Sequence, residues 1–227
     1  MTSARPTVKP ALVVFDCDGV LVDSEIIACR VDAQELNRVG FPITVEEVAE
    51  RFCGVVAKEM YAILQEEHGR PLPDGFQDRV QRLIHEAFET ELKAIDGVHE
   101  TLQRIDGPIC VASSSGPEWL ERSLTITALR DRFMPHIFSA HFVERGKPAP
   151  DIFLYAAAQM GGVDPADCVV IEDSISGVRA GVAAGMRVLG FTGGGHCASG
   201  HGDRLRAEGA ALVFDDMAAL PEILRTA

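Results

Sequence analysis

A short apolar run that ends in two carboxylates constrains this chain more than any other feature. The run, residues 13–15, has the β-branched and aromatic side chains that are typical of a buried strand. Asp16, Asp18 and Gly19 follow it directly. Ligands of open α/β sheets lie beyond the carboxyl ends of the strands, so both acids are expected at the edge of a crevice. Because the acids repel each other, either one stays protonated or a cation such as Mg²⁺ lies between them. Taken alone, the stretch fits a polar surface turn equally well.

Strand-like and helix-like segments alternate through the rest of the chain, apart from one long block. Apolar runs predict strands at residues 108–112, 137–139, 168–171, 187–191 and 212–214. Helical periodicity predicts helices between and after them, at residues 100–105, 118–124, 152–160, 178–185 and 217–224. Strands that alternate with helices favour an α/β protein with a Rossmann-like, doubly wound parallel sheet.

The exception is a block near the start, which contains no convincing strand. Its apolar spacing predicts four helices, at residues 25–39, from 44 to about 54, 58–68 and 76–92. We therefore expect an inserted helical domain at residues 25–94, above a core formed by residues 1–24 and 95–227.

Composition excludes some classes of protein. The formal net charge of −13 argues against a nucleic-acid partner, which requires a basic face. It does not argue against a small anionic substrate, because a metal ion reverses the field inside a pocket. No apolar run approaches the roughly 18 residues of a membrane span, and the start lacks a signal-peptide pattern. The six cysteines are scattered, which favours reduced thiols and a cytoplasmic protein. We expect a monomer or weak homodimer.

Polar residues follow four of the predicted strands. Asp16 and Asp18 follow the first strand, and Ser113 and Ser114 follow the second. Lys147 lies past a loop after the third strand, and Glu172 and Asp173 follow the fourth. In a parallel sheet all four positions converge at one edge. A carboxylate nucleophile, a hydroxyl, an ammonium and a second acidic pair around one metal form a phosphoryl-transfer site. Without its neighbours, Lys147 would be interpreted as a solvated surface lysine.

In order and spacing, these motifs resemble those of the haloacid dehalogenase superfamily of phosphatases. They are Asp16-x-Asp18-Gly19-x-Leu21-x-Asp23-Ser24, Ser113, Lys147-Pro148 and Glu172-Asp173, and the resemblance extends over essentially the whole chain. The helical block resembles the cap of the subgroup that includes β-phosphoglucomutase and phosphoglycolate phosphatase.

The resemblance implies a role for each carboxylate. Asp16 would be the nucleophile that forms an aspartyl-phosphate, and Asp18 would be the general acid and base. Asp16, the backbone carbonyl of Asp18 and Asp173 would hold Mg²⁺. Glu172 would be either a further ligand or a support behind the ligands, and the sequence leaves this open. Dehalogenases of the superfamily lack the second aspartate and the metal, so Asp18 favours a phosphate ester over a haloacid.

The resemblance also assigns the phosphate-binding groups. Ser113, Lys147 and the backbone amide of Ser114 would bind the phosphoryl oxygens.

The predicted cap contains a segment, residues 51–58, that resembles the family's substrate loop. Arg51, Gly54 and Lys58 are the candidate substrate-binding residues, although both basic side chains also fit solvated helix ends. β-Phosphoglucomutases carry basic residues where this chain has Cys53 and Ala57, which favours a hydrolase. The expected substrate is a small phosphorylated metabolite, such as a sugar phosphate or a sugar-acid phosphate like 6-phosphogluconate. A phosphosugar mutase and a non-catalytic phosphate sensor are the alternatives.

Two further features receive structural interpretations. The segment 193–202 contains His196, Cys197 and His201, but a zinc site would need a fourth ligand and a rigid frame. Its glycines favour a flexible loop at the rim of the site, from which His196 could reach substrate. Trp119, the only tryptophan, is predicted to pack in the core.

Overall fold

A six-stranded parallel sheet forms the centre of the protein. The computed structural model describes residues 9–52 and 55–226. The strands lie in the order β3-β2-β1-β4-β5-β6. Their bounds are β1 Leu12–Phe15, β2 Ile109–Ser113, β3 Ile137–Ser139, β4 Cys168–Glu172, β5 Arg187–Phe191 and β6 Leu212–Phe214. The predicted fold class is confirmed.

Helices connect the strands and fill the block between β1 and β2. That block contains α1 Ser24–Arg38, α2 Val45–Phe52, α3 Ala57–His68 and α4 Phe76–Glu91. The remaining helices are α5 Val98–Arg104, α6 Pro117–Ile126, α7 Arg130–Phe133, α8 Asp151–Gln159, α9 Ile175–Ala183, α10 His201–Ala207 and α11 Leu220–Thr226. No helix of the described ranges is long and apolar enough to cross a membrane.

Some helix boundaries differ from the predicted ones for local reasons. α9 begins three residues early because the Ser174 hydroxyl accepts a hydrogen bond from the Gly177 amide and caps the helix. The predicted helix at 217–224 is a 3₁₀ turn, Met217–Ala219, followed by α11. The apolar pattern of the sequence did not predict α10, because Leu205 is the one large apolar side chain that this short helix buries.

Both faces of the sheet are buried, as expected for a parallel sheet. Val13 and Phe15 of β1 belong to one hydrophobic cluster, whereas Leu12 and Val14 belong to a second cluster on the other face. Successive side chains of a strand point to opposite faces, so a continuous apolar run serves both clusters.

The strand order reverses at β1, and this reversal positions the site. From β1 the chain proceeds outward to β2 and β3, then returns to β4 on the other side of β1. The carboxyl ends of strands beside such a switch point bound a crevice, which is where open α/β sheets bind ligands.

Residues of α1 to α4 pack around a hydrophobic cluster of their own. Its buried members include Leu36, Phe41 and Leu64. The chain enters and leaves this block at two adjacent segments. They are joined by a hydrogen bond from the Asp23 amide to the Lys93 carbonyl at 2.9 Å. On these contacts we propose that residues 25–94 form the cap and that residues 1–24 and 95–227 form the core.

Candidate active site

Three buried carboxylates and one buried ammonium meet at the carboxyl edge of the sheet. Asp16 follows β1, Glu172 ends β4 and Asp173 follows it, and oxygens of these three residues lie within 4.8 Å of one another. Lys147 Nζ lies 2.7 Å from Asp16 Oδ1 and 2.6 Å from Glu172 Oε1. Its side chain is 3% exposed, so the surface interpretation of Lys147 is excluded.

The electrostatics of this cluster are those of a cation-binding site. Burial raises the pKa of Asp16 well above its usual value, Lys147 opposes this shift, and the charges of Glu172 and Asp173 add to it. Burial lowers the pKa of Lys147, but the two adjacent carboxylates outweigh burial and raise it overall. One ammonium thus faces three acids. A carboxylate-rich oxygen donor set is the chemistry that Mg²⁺ prefers, so the residues present fit that ion.

Glu172 is fully buried, and both of its oxygens are engaged by protein groups. Oε1 accepts from Lys147, and Oε2 accepts from the Ser174 amide at 2.8 Å and the Ser174 hydroxyl at 3.0 Å. A Cβ at Gly177 would collide with the Glu172 carboxylate, so a glycine is required beneath it. These contacts favour the supporting role for Glu172 that the sequence left open.

Asp18 directs its carboxylate away from this cluster, toward α1 and α6. Oδ1 accepts from the Ser24 hydroxyl at 2.7 Å and from Trp119 Nε1 at 3.1 Å. Oδ2 accepts from the Ser115 hydroxyl at 2.6 Å. The carboxylate is therefore fixed by three neutral donors.

Trp119 is thus more than the core residue that the sequence predicted. Its ring packs against Phe88 of the helical block with centroids 4.4 Å apart, while its indole N–H reaches Asp18. The predicted core packing is confirmed, whereas the contact with Asp18 joins residues 101 positions apart, which sequence spacing does not reveal.

The two serines at the carboxyl end of β2 differ in exposure. Ser113 is buried and its hydroxyl accepts from the Ser115 amide at 3.1 Å, whereas Ser114 is exposed. In the sheet register Val111 is the partner of Phe15, so Ser113 lies at the same edge as Asp16.

Glu25 is a candidate site residue that the sequence did not distinguish. It lies half-buried in the first turn of α1. Burial, with the charges of Asp18 and Asp173, raises the pKa of Glu25 to about 7. In the sequence Glu25 resembles an ordinary acid at a helix start. Only the influence of Asp18 and Asp173 in the folded protein indicates that it belongs to the site.

The loop after β5 and the start of α10 bring two histidines to the site, whereas the flexibility of this loop stays a prediction. His196 and His201 are both buried. His196 Nε2 lies 3.0 Å from Asp173 Oδ2, and His201 Nε2 lies 2.5 Å from the Asp173 carbonyl oxygen. Glycines permit this path by allowing close backbone approach.

The contacts of the basic cap residues lie within the helical block. Arg51 is exposed, forms an ion pair with Glu67 at 2.5 Å and lies over the Phe52 ring. Lys58 is exposed and lines a cavity between α3 and residues 72–78. Neither contact connects these side chains to Asp16. Gly54, the third predicted residue, lies outside the described residues.

Comparisons with known proteins agree with this geometry. The family model of haloacid dehalogenase-like hydrolases matches residues 10–185. The chain belongs to this family, as its motifs predicted. It is 33% identical over 212 residues to 6-phosphogluconate phosphatase of Escherichia coli, covering 93% of both chains.

Solved structures show the same fold. A haloacid dehalogenase-like protein of Agrobacterium tumefaciens superposes with a TM-score of 0.91 at 44% identity, covering 94% of this chain and 97% of that one. A family hydrolase of Deinococcus radiodurans, with bound phosphate and sodium, superposes with a TM-score of 0.83 at 34% identity. That comparison covers 96% of this chain and 99% of the other.

Proposed function

We propose that this protein is a Mg²⁺-dependent phosphatase that hydrolyses a small phosphorylated metabolite through an aspartyl-phosphate on Asp16. The observation that carries the proposal is the buried Asp16 carboxylate, held by Lys147 beside Asp173 at the switch point of the sheet. Phosphoryl transfer depends on positioning and charge neutralisation, and both are supplied by this arrangement.

In the first step an Asp16 oxygen attacks phosphorus, and the bond from phosphorus to the ester oxygen breaks. Asp18 gives its proton to that oxygen, so the alcohol leaves neutral. In the second step Asp18 takes a proton from water as the water oxygen attacks the phosphorus of phospho-Asp16. Inorganic phosphate leaves, and the Asp16 carboxylate is restored.

The other groups neutralise charge during both steps. Lys147, Ser113 and the Ser114 amide bind the phosphoryl oxygens, and Glu172 keeps Lys147 in place. Asp16, Asp173 and the backbone carbonyl of Asp18 would hold Mg²⁺. When bound, the ion supplies positive charge that offsets the negative charge of the transferring group.

A sugar phosphate or sugar-acid phosphate is the proposed substrate, and the similarity to a 6-phosphogluconate phosphatase supports it. We keep Arg51, Gly54 and Lys58 as proposed substrate contacts, which requires Arg51 to exchange Glu67 for the ligand. The absence of basic residues at Cys53 and Ala57 favours hydrolysis over transfer within a bisphosphate. We also propose the cytoplasm as the compartment, because the six cysteines are scattered along the sequence, which favours reduced thiols.

Phosphate release tests the proposal. The protein is incubated with sugar phosphates, sugar-acid phosphates and phosphoglycolate, with Mg²⁺ or with a chelator. We expect release that requires the ion and falls on the order of 10³-fold or more in Asp16→Asn. Asp131→Asn is the matched control, because the Asp131 side chain is 98% exposed. A folded wild-type protein that releases no phosphate from any compound would contradict the proposal.

A further inference from the structure

The His196 imidazole is a buried hydrogen-bond donor to a proposed metal ligand. Nε2 lies 3.0 Å from Asp173 Oδ2, and the His196 side chain is fully shielded from solvent. An ionised carboxylate only accepts hydrogen bonds, so the contact places a hydrogen on Nε2. The opposite oxygen of Asp173 is not used by this contact.

The backbone around the ring is shaped to admit it. A Cβ at Gly19 would overlap Asp173 Oδ2 and lie 2.8 Å from His196 Cε1. A Cβ at Gly194 would also lie 2.8 Å from His196 Cε1. Gly19 has a φ of +77°, which disfavours a side chain there in any case. The imidazole is therefore lodged between two glycines, one in the nucleophile motif and one in the loop after β5.

Separate contacts fix the backbone of this loop and of Asp173. His201 Nε2 donates to the Asp173 carbonyl at 2.5 Å, and its Nδ1 accepts from Arg204 at 3.2 Å. The Gly195 amide donates to Asp23 Oδ1 at 2.9 Å. Because the main chain of Asp173 is held by His201, the contribution of His196 concerns the orientation of the Asp173 side chain.

We propose that His196 is a positioning residue for the metal site, which orients the Asp173 carboxylate by donating from Nε2 to Oδ2 and leaves Oδ1 to bind the ion beside Asp16. The inference rests on the proposed function for the identity of the ion. Partners of this kind, behind the ligands of a metal, typically contribute 10- to 100-fold in metal affinity or activity.

Two substitutions of similar size separate hydrogen bonding from packing. His196→Gln fills the slot and keeps an N–H donor, whereas His196→Met fills it with no donor. Binding of Mn²⁺, used as a spectroscopic substitute for Mg²⁺, is followed by the electron paramagnetic resonance of the free ion and by competition with Mg²⁺. His99→Met on the exposed face of α5 is the control. Thermal unfolding checks that each variant folds, and His196→Leu replaces the Met variant if that one does not.

We expect the Met variant to bind Mn²⁺ about 10- to 100-fold more weakly than the wild type, with the Gln variant close to the wild type. The KM for the phosphate ester at saturating metal should stay unchanged in both. Equal affinities in the Gln and Met variants, whether both normal or both weakened, would overturn the inference. If the affinities differ as expected but no ester is hydrolysed, the inference stands and the proposed function fails. If esters are hydrolysed but the affinities do not differ, the proposed function stands and the inference about His196 fails.

Discussion

At the scale of single residues, the two aspartates of the first motif occupy different environments. Asp16 lies among acids and beside Lys147, whereas Asp18 is bound by neutral donors, Ser24, Ser115 and Trp119. Charged neighbours hold the proposed nucleophile, and the proposed acid and base keeps a fixed orientation by hydrogen bonds. The same residue type can therefore perform two chemical roles two positions apart.

Trp119→Phe tests whether this orientation matters. The variant keeps an aromatic ring against Phe88 and removes the indole donor to Asp18. A single hydrogen bond contributes about 0.5–1.5 kcal/mol, so kcat should fall about 2- to 10-fold. The measurement is steady-state phosphate release at saturating substrate and Mg²⁺.

Phe88→Leu is the control for that experiment, because it changes the same aromatic contact without removing a donor. An unchanged kcat in Trp119→Phe, or an equal loss in both variants, would show that the indole N–H does not orient Asp18.

At the scale of elements, a buried polar pair connects two helices of the proposed cap. Tyr61 on α3 donates to Asp32 Oδ1 on α1 at 2.6 Å. Burial raises the pKa of Asp32 from its usual 3.8 to about 6, although the hydrogen bond from Tyr61 opposes the shift. The folded state therefore favours the protonated form of Asp32. Above pH 6 the ionised carboxylate is a cost to the folded state, and below pH 4 that cost is absent because both states are protonated.

Asp32→Asn should stabilise the protein at pH 8, by about 1–3 kcal/mol in the free energy of unfolding, because asparagine accepts from Tyr61 without a charge. The gain should shrink as the pH falls from 6 to 4. Urea unfolding at several pH values measures it, with Asp131→Asn as an exposed control. A destabilised Asp32→Asn variant at pH 8 would refute this account of the pair.

Elements also show how far the sequence predicts the fold. The six strands follow from apolar runs that carry side chains into two cores, and the positions of Asp16 and Glu172 follow from the parallel arrangement. α10 could not be predicted, because it buries only one large apolar side chain, Leu205. The course of the loop at 193–200 could not be predicted either, because its glycines give no periodic pattern. The burial of His196 and the contact of Trp119 with Asp18 depend on packing between segments that are distant in sequence.

At the scale of the whole molecule, the switch point of the sheet assembles the site. Asp16 and Lys147 are 131 residues apart in sequence and 2.7 Å apart in space. The chain carries a formal net charge of −13, yet Lys147 is buried among the acids of the site, where a bound cation would complete the local balance. The net charge of the whole chain therefore does not describe the charge of the site, which depends on the residues that the sheet topology brings together.

The central claim is that Asp16 becomes phosphorylated during turnover. The most direct test uses Asp18→Asn, in which water activation fails, with p-nitrophenyl phosphate, whose leaving group needs little protonation. After an acid quench, mass spectrometry of the peptides should find one phosphoryl group on Asp16. Hydrolysis of the same ester by the wild type, with no phosphorylated Asp16 in the variant and an undiminished rate in Asp16→Asn, would contradict the claim.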